Sequence, residues 1–584
     1  MYNVSTEYKE QINNKVRNPS HMRVKFGITD PDAISDMSLS DTSSVAFSDV
    51  TGIKHDTNVD LYYDTLEHNQ FILDSAHELA TESYGRYQAY VSGYMSDENC
   101  EFQNKPQVIV DYTEEFKFAG LSLTFDSIRG DYCSEINLKC YSGLSVVHDA
   151  TYYPNESFFT IKDSLPLHDK AILTFNKSSL PYKRVRLQYM TFGLTKIVTD
   201  DVIVNTTQHR KVDLMSTVLP KGDFNFTFLD INGEYDPDNP DGLFKYLEEL
   251  QPVKFEYGYE LDSGLIEWQQ GGQNFTSGEV SVDSSGKIGK VTFKTNNSLS
   301  YLNEQFITGV YPSAPVSLYD LAESLMSGTG IQYDFDSSLH SITTNSPLPN
   351  KPVKELLQLI SNAGRCVLDV DREGKVVMYK RNSIVEDFHY DFGNMTTPPR
   401  TKKYPPLRNV NASFYTYNVD TSASELLNTS VVAPTQREMY LEYDMSTEHS
   451  ISVTGTLVVI GTPTYYSAGC VVNLSGTGDV SISGKKITVS ESTISKNYNA
   501  NGEDCYIKNE LITSETDASH YSDFIANVLQ MKNEYSFNDR GFPEVDMVDK
   551  VYLDTLFSTN LEMYVTEIKM TYNGTLKSTT TGLV

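Results

Sequence analysis

The chain has 584 residues, room for about three to five domains at roughly 100 to 200 residues each. Its 47 basic residues against 78 acidic ones leave a net charge of −31, with 21% charged and 39% hydrophobic residues. That composition excludes a disordered chain, and its uniform negative charge opposes the phosphate contacts on which a dedicated nucleic-acid binder depends. Six cysteines in so long a chain form no disulfide framework and are expected as reduced thiols. The opening MYNVSTEYKEQ has neither the basic nor the apolar region of an export signal, and apolar runs such as Leu457 to Ile460 are far too short for a spanning helix. The Asn-x-Ser/Thr triplets at Asn155, Asn225 and Asn411 reflect the abundance of Asn and Ser rather than glycosylation.

Tyr (39) and Phe (27) far outnumber the single Trp, Trp268, which tilts the chain toward half-buried pleated surfaces. In chain order, period-two alternation predicts strands over Met22 to Phe26, Lys117 to Phe125, Phe224 to Phe228, Lys254 to Tyr259, Val377 to Tyr379, Val480 to Val489 and Met563 to Tyr572. Helical signals are fewer. Asp241 to Leu250 reads as a helix capped by Asp241, and Ser317 to Met326 has Ser317 as cap, apolar Leu318, Leu321 and Leu325, and Gly328 beyond its end. Pro352 to Asn362 starts on a proline, sets Leu356, Leu357 and Ile360 on one face and stops at Gly364; Ala518 to Met531 completes the set. The expectation is a mainly β, multidomain chain with α+β elements, its four or five short helices packed on sheets.

Two boundaries are expected. Asn394 to Arg408, NMTTPPRTKKYPPLR, puts four prolines and four basic residues into an acidic chain and reads as a stiff connector. Gly120 to Leu180 reads as short strands joined by turns, a β-sandwich inserted between Tyr62 to Asp74 and the strand Tyr182 to Tyr189. No repeat of 20 to 50 residues is recognisable, which removes support for solenoids and propellers.

Catalytic and cofactor signatures are missing: no His-Glu-x-x-His helix, no Gly-x-Ser-x-Gly elbow, no Cys-x-x-Cys pair, and eleven scattered His residues. Gly478 to Lys485 spaces its glycines too widely for a phosphate loop and reads as a β-hairpin. Asp236 to Gly242 (DPDNPDG), with Glu248 beyond, has the carboxylates of a calcium loop but places Pro237 at the first ligand position, so a turn into a helix is the reading. Asp369 to Lys375 (DVDREGK) ends on Lys380 where a closing ligand belongs and reads as a hairpin turn between Cys366 to Asp369 and Lys375 to Tyr379. No catalytic residue, metal ligand or cofactor is assigned. Trp268, in Gly264 to Gly272, reads either as an exposed sugar or interface platform in a glycine-bracketed turn or as a ring packed under a hairpin. Lys183, Arg184 and Arg186 either meet the acidic surface of a neighbouring subunit or pair within their own sheet.

Lys211 to Gly258 (KVDLMSTVLPKGDFNFTFLDINGEYDPDNPDGLFKYLEELQPVKFEYG) resembles the first β-domain of phage tail hub proteins, where a strand, an Asn-Gly-type turn and a Pro/Asp-rich loop lead to a second strand. Lys354 to Tyr379 resembles that family's helix and hairpin, Asn509 to Asp549 its later helix and following turn, and Val565 to Leu576 its final strand, all in the family's order. The opening residues and Asp64 to Asp74 resemble tail proteins of prophages of Gram-positive bacteria. One departure is Val548, where the family has a glycine before the late Asp; another is that the chain ends at Val584 without the wall-degrading domain that many tail-associated proteins carry.

The resemblance implies a discontinuous first tube-like β-domain (1–78 and 191–300), an inserted β-sandwich (79–190), an α+β domain (301–395), a linker (396–408) and a second tube-like β-domain (409–584) with its helix at 518–531. It implies a structural, non-enzymatic tail-tip (baseplate) hub: a homotrimer whose β-domains form a ring that closes or continues the tail tube. The implied partners are the distal tail or tail tube proteins, the tape measure protein and receptor-binding proteins or fibres, with the host cell surface beyond. Genome DNA would pass through at ejection without specific binding. Such a protein belongs to the virion tail tip and is assembled in the bacterial cytoplasm. Two other readings stand beside it: a receptor- or cell-wall-carbohydrate-binding tail protein acting through the sandwich, and a wall hydrolase using paired carboxylates.

Overall fold

Phenylalanines at every second position build the largest core. In the strand Lys221–Asp230, Phe224, Phe226 and Phe228 face inward while the intervening residues stay partly exposed, the period-two pattern of a sheet with one buried face. The computed structural model describes the chain except residues 3, 15, 46–47, 55–62, 65–77, 80–88, 127–130, 240–241, 284–287, 304–305, 308 and 382–383. Most of the expected Tyr62 to Asp74 segment therefore lies outside the described residues, as does the proposed cap Asp241.

The described chain is mainly β and multidomain. Its principal sheet runs, neighbour to neighbour, through Phe158–Ile161, Leu121–Phe125, Arg184–Thr199, Ser20–Thr29, Glu249–Glu260, Ile266–Asp283, Gly289–Asn296, Lys221–Asp230, Ile203–Lys211, Leu561–Tyr572, Leu576–Leu583, Asn533–Asp539 and Arg400–Lys403. The sheet is rolled. Phe26 and Phe226 belong to strands separated by three others, yet their ring centroids lie 5.7 Å apart, and Phe224 stacks on Phe255 at 3.7 Å. Only strong curvature brings such residues together, and the enclosed space is filled by these side chains.

Ser38–Asp41, Gln107–Phe118, Leu165–Lys177, Glu135–Ser142 and Ser145–Tyr152 form a second sheet. With Leu121–Phe125, Phe158–Ile161 and the first half of Arg184–Thr199 it encloses a sandwich core that includes Tyr90, Leu138, Phe175 and Leu187. Ser38–Asp41 lies ahead of the expected start of the insert and yet belongs to this sandwich. The expected Lys117 to Phe125 strand is broken after Phe118, and its two parts enter different sheets. Arg184–Thr199 serves both bodies: Leu187 to Phe192 pair with Leu121–Phe125, and Gly193 to Thr199 pair with Ser20–Thr29. Covered on both faces, it is buried without a break from Val185 to Thr195, polar Arg186, Gln188 and Thr191 included.

Helices α1 (Thr6–Ile12) and α2 (Pro31–Asp36) precede α3 (Leu318–Met326), α4 (Val353–Ala363) and α5 (Glu515–Leu529). Ser317 accepts from the Asp320 N–H as the expected cap of α3, and α5 is capped in the same way by Ser514. α3, α4 and α5 share one core with the small sheet of Tyr333–Phe335, Val376–Tyr379 and Val367–Val370. The Asp241 to Leu250 helix does not form: a short 3-10 turn, Phe244–Tyr246, passes directly into the strand Glu249–Glu260, whose ladders with Ser20–Thr29 and Ile266–Asp283 outweigh local helical preference.

Gly478 to Lys485 is not a hairpin but the middle of a 29-residue strand, Gly469–Asn497. The glycine serves close approach rather than a turn, since a Cβ on Gly478 would lie 1.8 Å from the Thr454 carbonyl oxygen. This strand pairs with Ser424–Glu442, Ser446–Val453 and Val458–Tyr466 around a small separate core, and with Leu407–Val419 at its far end. Within the Pro/basic stretch, Arg400–Lys403 is an edge strand pairing with Asn533–Asp539. The turn at Val548 forms without the glycine of the resembled family: Val548 holds φ +63°, its N–H donating to Val565.

Gly193 marks the passage from sandwich to barrel. It has φ +139°, and a Cβ there would lie 2.2 Å from the Ile28 carbonyl oxygen. Gly193→Ala is expected to cost about 2–4 kcal/mol by backbone strain and overpacking, read as a lower midpoint in urea unfolding.

Candidate interaction surfaces

Trp268 lies within the strand Ile266–Asp283, opposite Gly258, rather than in a turn. The pairing with Glu249–Glu260 extends the chain through it. It is half-buried, and one face of its ring carries the Arg23 guanidinium at 4.2 Å, itself ion-paired with Glu256. A sugar would have to displace this cation from that face.

The three basic residues of the sandwich are engaged internally. Lys183 and Asp131 form a buried ion pair at 2.9 Å, Arg184 donates to the Ser92 carbonyl at 2.9 Å, and Arg186 is buried. The structure thus brings Lys183, Arg184 and Arg186 together beside the Tyr90–Met95 strand and sets Trp268 elsewhere, on the barrel. Of the two acidic loops, Asp236 accepts from the Asp238 N–H, and Asp371 accepts from those of Glu373 and Lys375 in the expected hairpin turn. Among the described residues no group of three or more His, Cys, Asp or Glu is placed to hold a metal ion.

The most concentrated buried electrostatics lie where the chain's two ends meet its middle. Arg210, on Ile203–Lys211, donates to Asp369 at 2.9 Å and to Asp546. Arg372 donates to the carbonyls of Gln270 and Val545 and lies 4.1 Å over the Tyr2 ring. Burial alone would raise the Asp546 carboxyl, but the two guanidinium groups outweigh it and hold it at about 2. Asp369 is pushed up to about 6 by burial in spite of Arg210. Glu544, which accepts from the Tyr8 hydroxyl at 3.0 Å, is pushed by burial up to about 7.

A cleft of about 810 Å³ is bordered by α5, the end of α4, and the strands Lys550–Leu553 and Leu561–Tyr572. Phe524, Tyr564 and Met531 give it apolar surface, and Arg365, Lys380, Arg381 and Lys550 give it positive charge. The Arg381 guanidinium lies 5.5 Å from the Phe524 ring and 5.9 Å from that of Tyr564. Both side-chain carboxylates at its wall are taken: Asp523 by Lys496 at 2.9 Å, Glu562 by Lys550. Arg365, Lys380 and Arg381 form no ion pair among the described residues. Sequence reading missed them because Arg365 joins the Lys380–Arg381 pair only in space; the Tyr-Lys-Arg at 379–381 was the one local sign.

No protein-family model and no curated protein matches the chain. Among solved structures, the 43 kDa tail protein of prophage MuSo2 from Shewanella oneidensis is 10% identical, with a TM-score of 0.38 over 66% of this chain and 94% of that one. Prophage tail protein gp18 from Listeria monocytogenes is 8% identical, with a TM-score of 0.34 over 66% of this chain and 91% of that one. The lidded Francisella PdpA–VgrG complex gives 11% identity and a TM-score of 0.32 over 79% of this chain and 53% of that one. These are partial likenesses at low sequence identity.

Removing Arg210 strands buried carboxylates, so Arg210→Met is expected to cost about 3–5 kcal/mol, measured by denaturant unfolding at pH 7. Glu544 gives a pH test. Its raised folded value means that its contribution is fully present below the unfolded value near 4.5 and is lost as pH rises through about 7. Glu544→Gln is therefore expected to flatten the fall in melting temperature between pH 5 and pH 8, in parallel thermal melts of the two proteins.

Proposed function

We propose that the chain is a structural, non-catalytic tail-tip hub of a bacteriophage or phage-like particle. In this reading three copies form a ring that closes or continues the tail tube and joins it to receptor-binding parts. The observation that carries the reading is the continuity of the principal sheet. Lys211 to Gly258 and Val565 to Leu576, two of the segments that resemble hub proteins, lie far apart in sequence yet supply strands to one rolled sheet, where Ile203–Lys211 pairs with Leu561–Tyr572. A rolled sheet assembled from an early and a late block suits a tube-building subunit, in which each block would present a curved wall to a neighbour.

The charge supports the same reading. At −31 per chain, a ring of such subunits repels phosphate on average and would let DNA pass without retention. The sandwich is tied to the barrel through Arg184–Thr199, and in this reading it projects toward other tail components or the cell surface.

Light scattering of the purified full-length chain is expected to give three times the 65.7 kDa chain mass. A species that stays monomeric at high concentration, with tube and tip partners present, would remove the hub reading.

A further inference from the structure

We propose that the cleft bordered by α5 and the end of α4 is a docking site for an acidic peptide segment of another protein. Carboxylates of that segment would meet Arg365, Lys380 and Arg381, while an apolar side chain between them rests on Phe524 and Tyr564.

Three observations carry this. The first is charge: in a chain of net charge −31, four cations gather at one cleft. The neighbouring carboxylates Asp523 and Glu562 are already paired, and Arg365, Lys380 and Arg381 form no ion pair among the described residues. Asp336 feels the field of Lys380 without closing an ion pair with it. The second is the floor. Arg381 is held against the rings of Phe524 and Tyr564, which reduces its hydration and fixes its plane for a carboxylate fork.

The third is the backbone at Arg365. It follows α4 with φ +60°, in the left-handed region where a helix end normally places glycine, while the adjacent Gly364 stays helical at φ −72°. An arginine at this position costs backbone energy that a glycine would avoid, and it places a guanidinium at the cleft.

The partner class follows from the mixture of charges. A nucleic-acid strand brings a phosphate at every residue and would meet Asp523 and Glu562 as well as the cations, inside a strongly acidic protein. A peptide sets its carboxylates at intervals, so it can match three cations, avoid two acids and bury one ring or aliphatic chain. A volume of about 810 Å³ is of the size that encloses a few side chains.

The test uses the full-length chain and fluorescence polarisation with three labelled probes: the peptide Glu-Glu-Phe-Glu-Leu-Glu, its Gln-for-Glu counterpart, and a dT oligonucleotide. The acidic peptide is expected to bind, to weaken on the order of tenfold as salt is raised from low to well above physiological strength, and to outcompete the other two. Lys380→Glu, at an exposed position, and Arg365→Gly are each expected to weaken binding about fivefold or more, the loss of one charge-assisted contact. Arg365→Gly also relaxes the backbone, so an unchanged or higher melting temperature with lost binding separates the contact from the fold. Absence of peptide binding, equal binding by both variants, or tighter competing binding of the oligonucleotide would each overturn the proposal. None of these outcomes bears on trimer formation, which the mass measurement reads separately.

Discussion

The ladder between Ile203–Lys211 and Leu561–Tyr572 is the constraint on which the barrel depends. It pairs Arg210 with Ile568 and Gln208 with Met570, joining strands more than three hundred residues apart, and without it the principal sheet would divide into two open edges. The buried arginines stand directly behind this seam. Arg210 projects from one of its two strands to carboxylates on the Val367–Val370 hairpin and on the turn near 546, so the seam, the α+β region and the late turn are held at one point. Charge in such a place is weak evidence of net stability against a well-packed apolar alternative. Its effect is geometric, since guanidinium forks accept carboxylates in few orientations and thereby fix how three parts of the chain meet.

Electrostatics follow a consistent division across the molecule. Several cations are consumed internally: buried Lys183 by Asp131, half-exposed Arg23 by Glu256 and the Trp268 ring, buried Arg372 by backbone carbonyls. Most of the described acidic residues stay at least partly exposed, where like charge discourages edge strands from pairing with other chains. The exposed Arg400–Lys403 edge fits the same logic, because a row of positive side chains discourages indiscriminate strand addition.

How much of this was readable in the sequence depended on whether local chemistry and tertiary context agreed. α3 and α4 were legible because cap, apolar stripe and stop all fell within a dozen residues. α1 and α2, at seven and six residues, are too short to show a periodic face and form by docking: Ser5 caps α1 while Tyr8 reaches Glu544 across the fold. The helix expected after Asp241 failed in the opposite direction, where sheet pairing overrode a local pattern. Strand cores such as Phe224 to Phe228 were plain from alternation, but the 29-residue reach of Gly469–Asn497 was not, since its glycines imitate turns. Trp268 drew attention as the only tryptophan, yet what decides its role is Arg23, a partner 245 positions away. The cleft was invisible for the same reason: its cations come from a helix end and a strand end, and only folding brings α5 beside them.

The shared strand Arg184–Thr199 also fixes an order of events during synthesis. Apart from its link to Ser20–Thr29, the sandwich is built almost wholly from strands between 38 and 192, so it can condense while the rest of the chain is still being made. The barrel cannot follow at once. Ile203–Lys211 must wait with one edge unpaired until Leu561–Tyr572 has emerged, more than three hundred residues later. At translation rates on the order of 5–20 residues per second, that edge stays open for tens of seconds on every ribosome. The rolled sheet thus keeps one of its walls unfinished until Leu561–Tyr572 has been made, a delay set by the sequence separation of the two strands that close it.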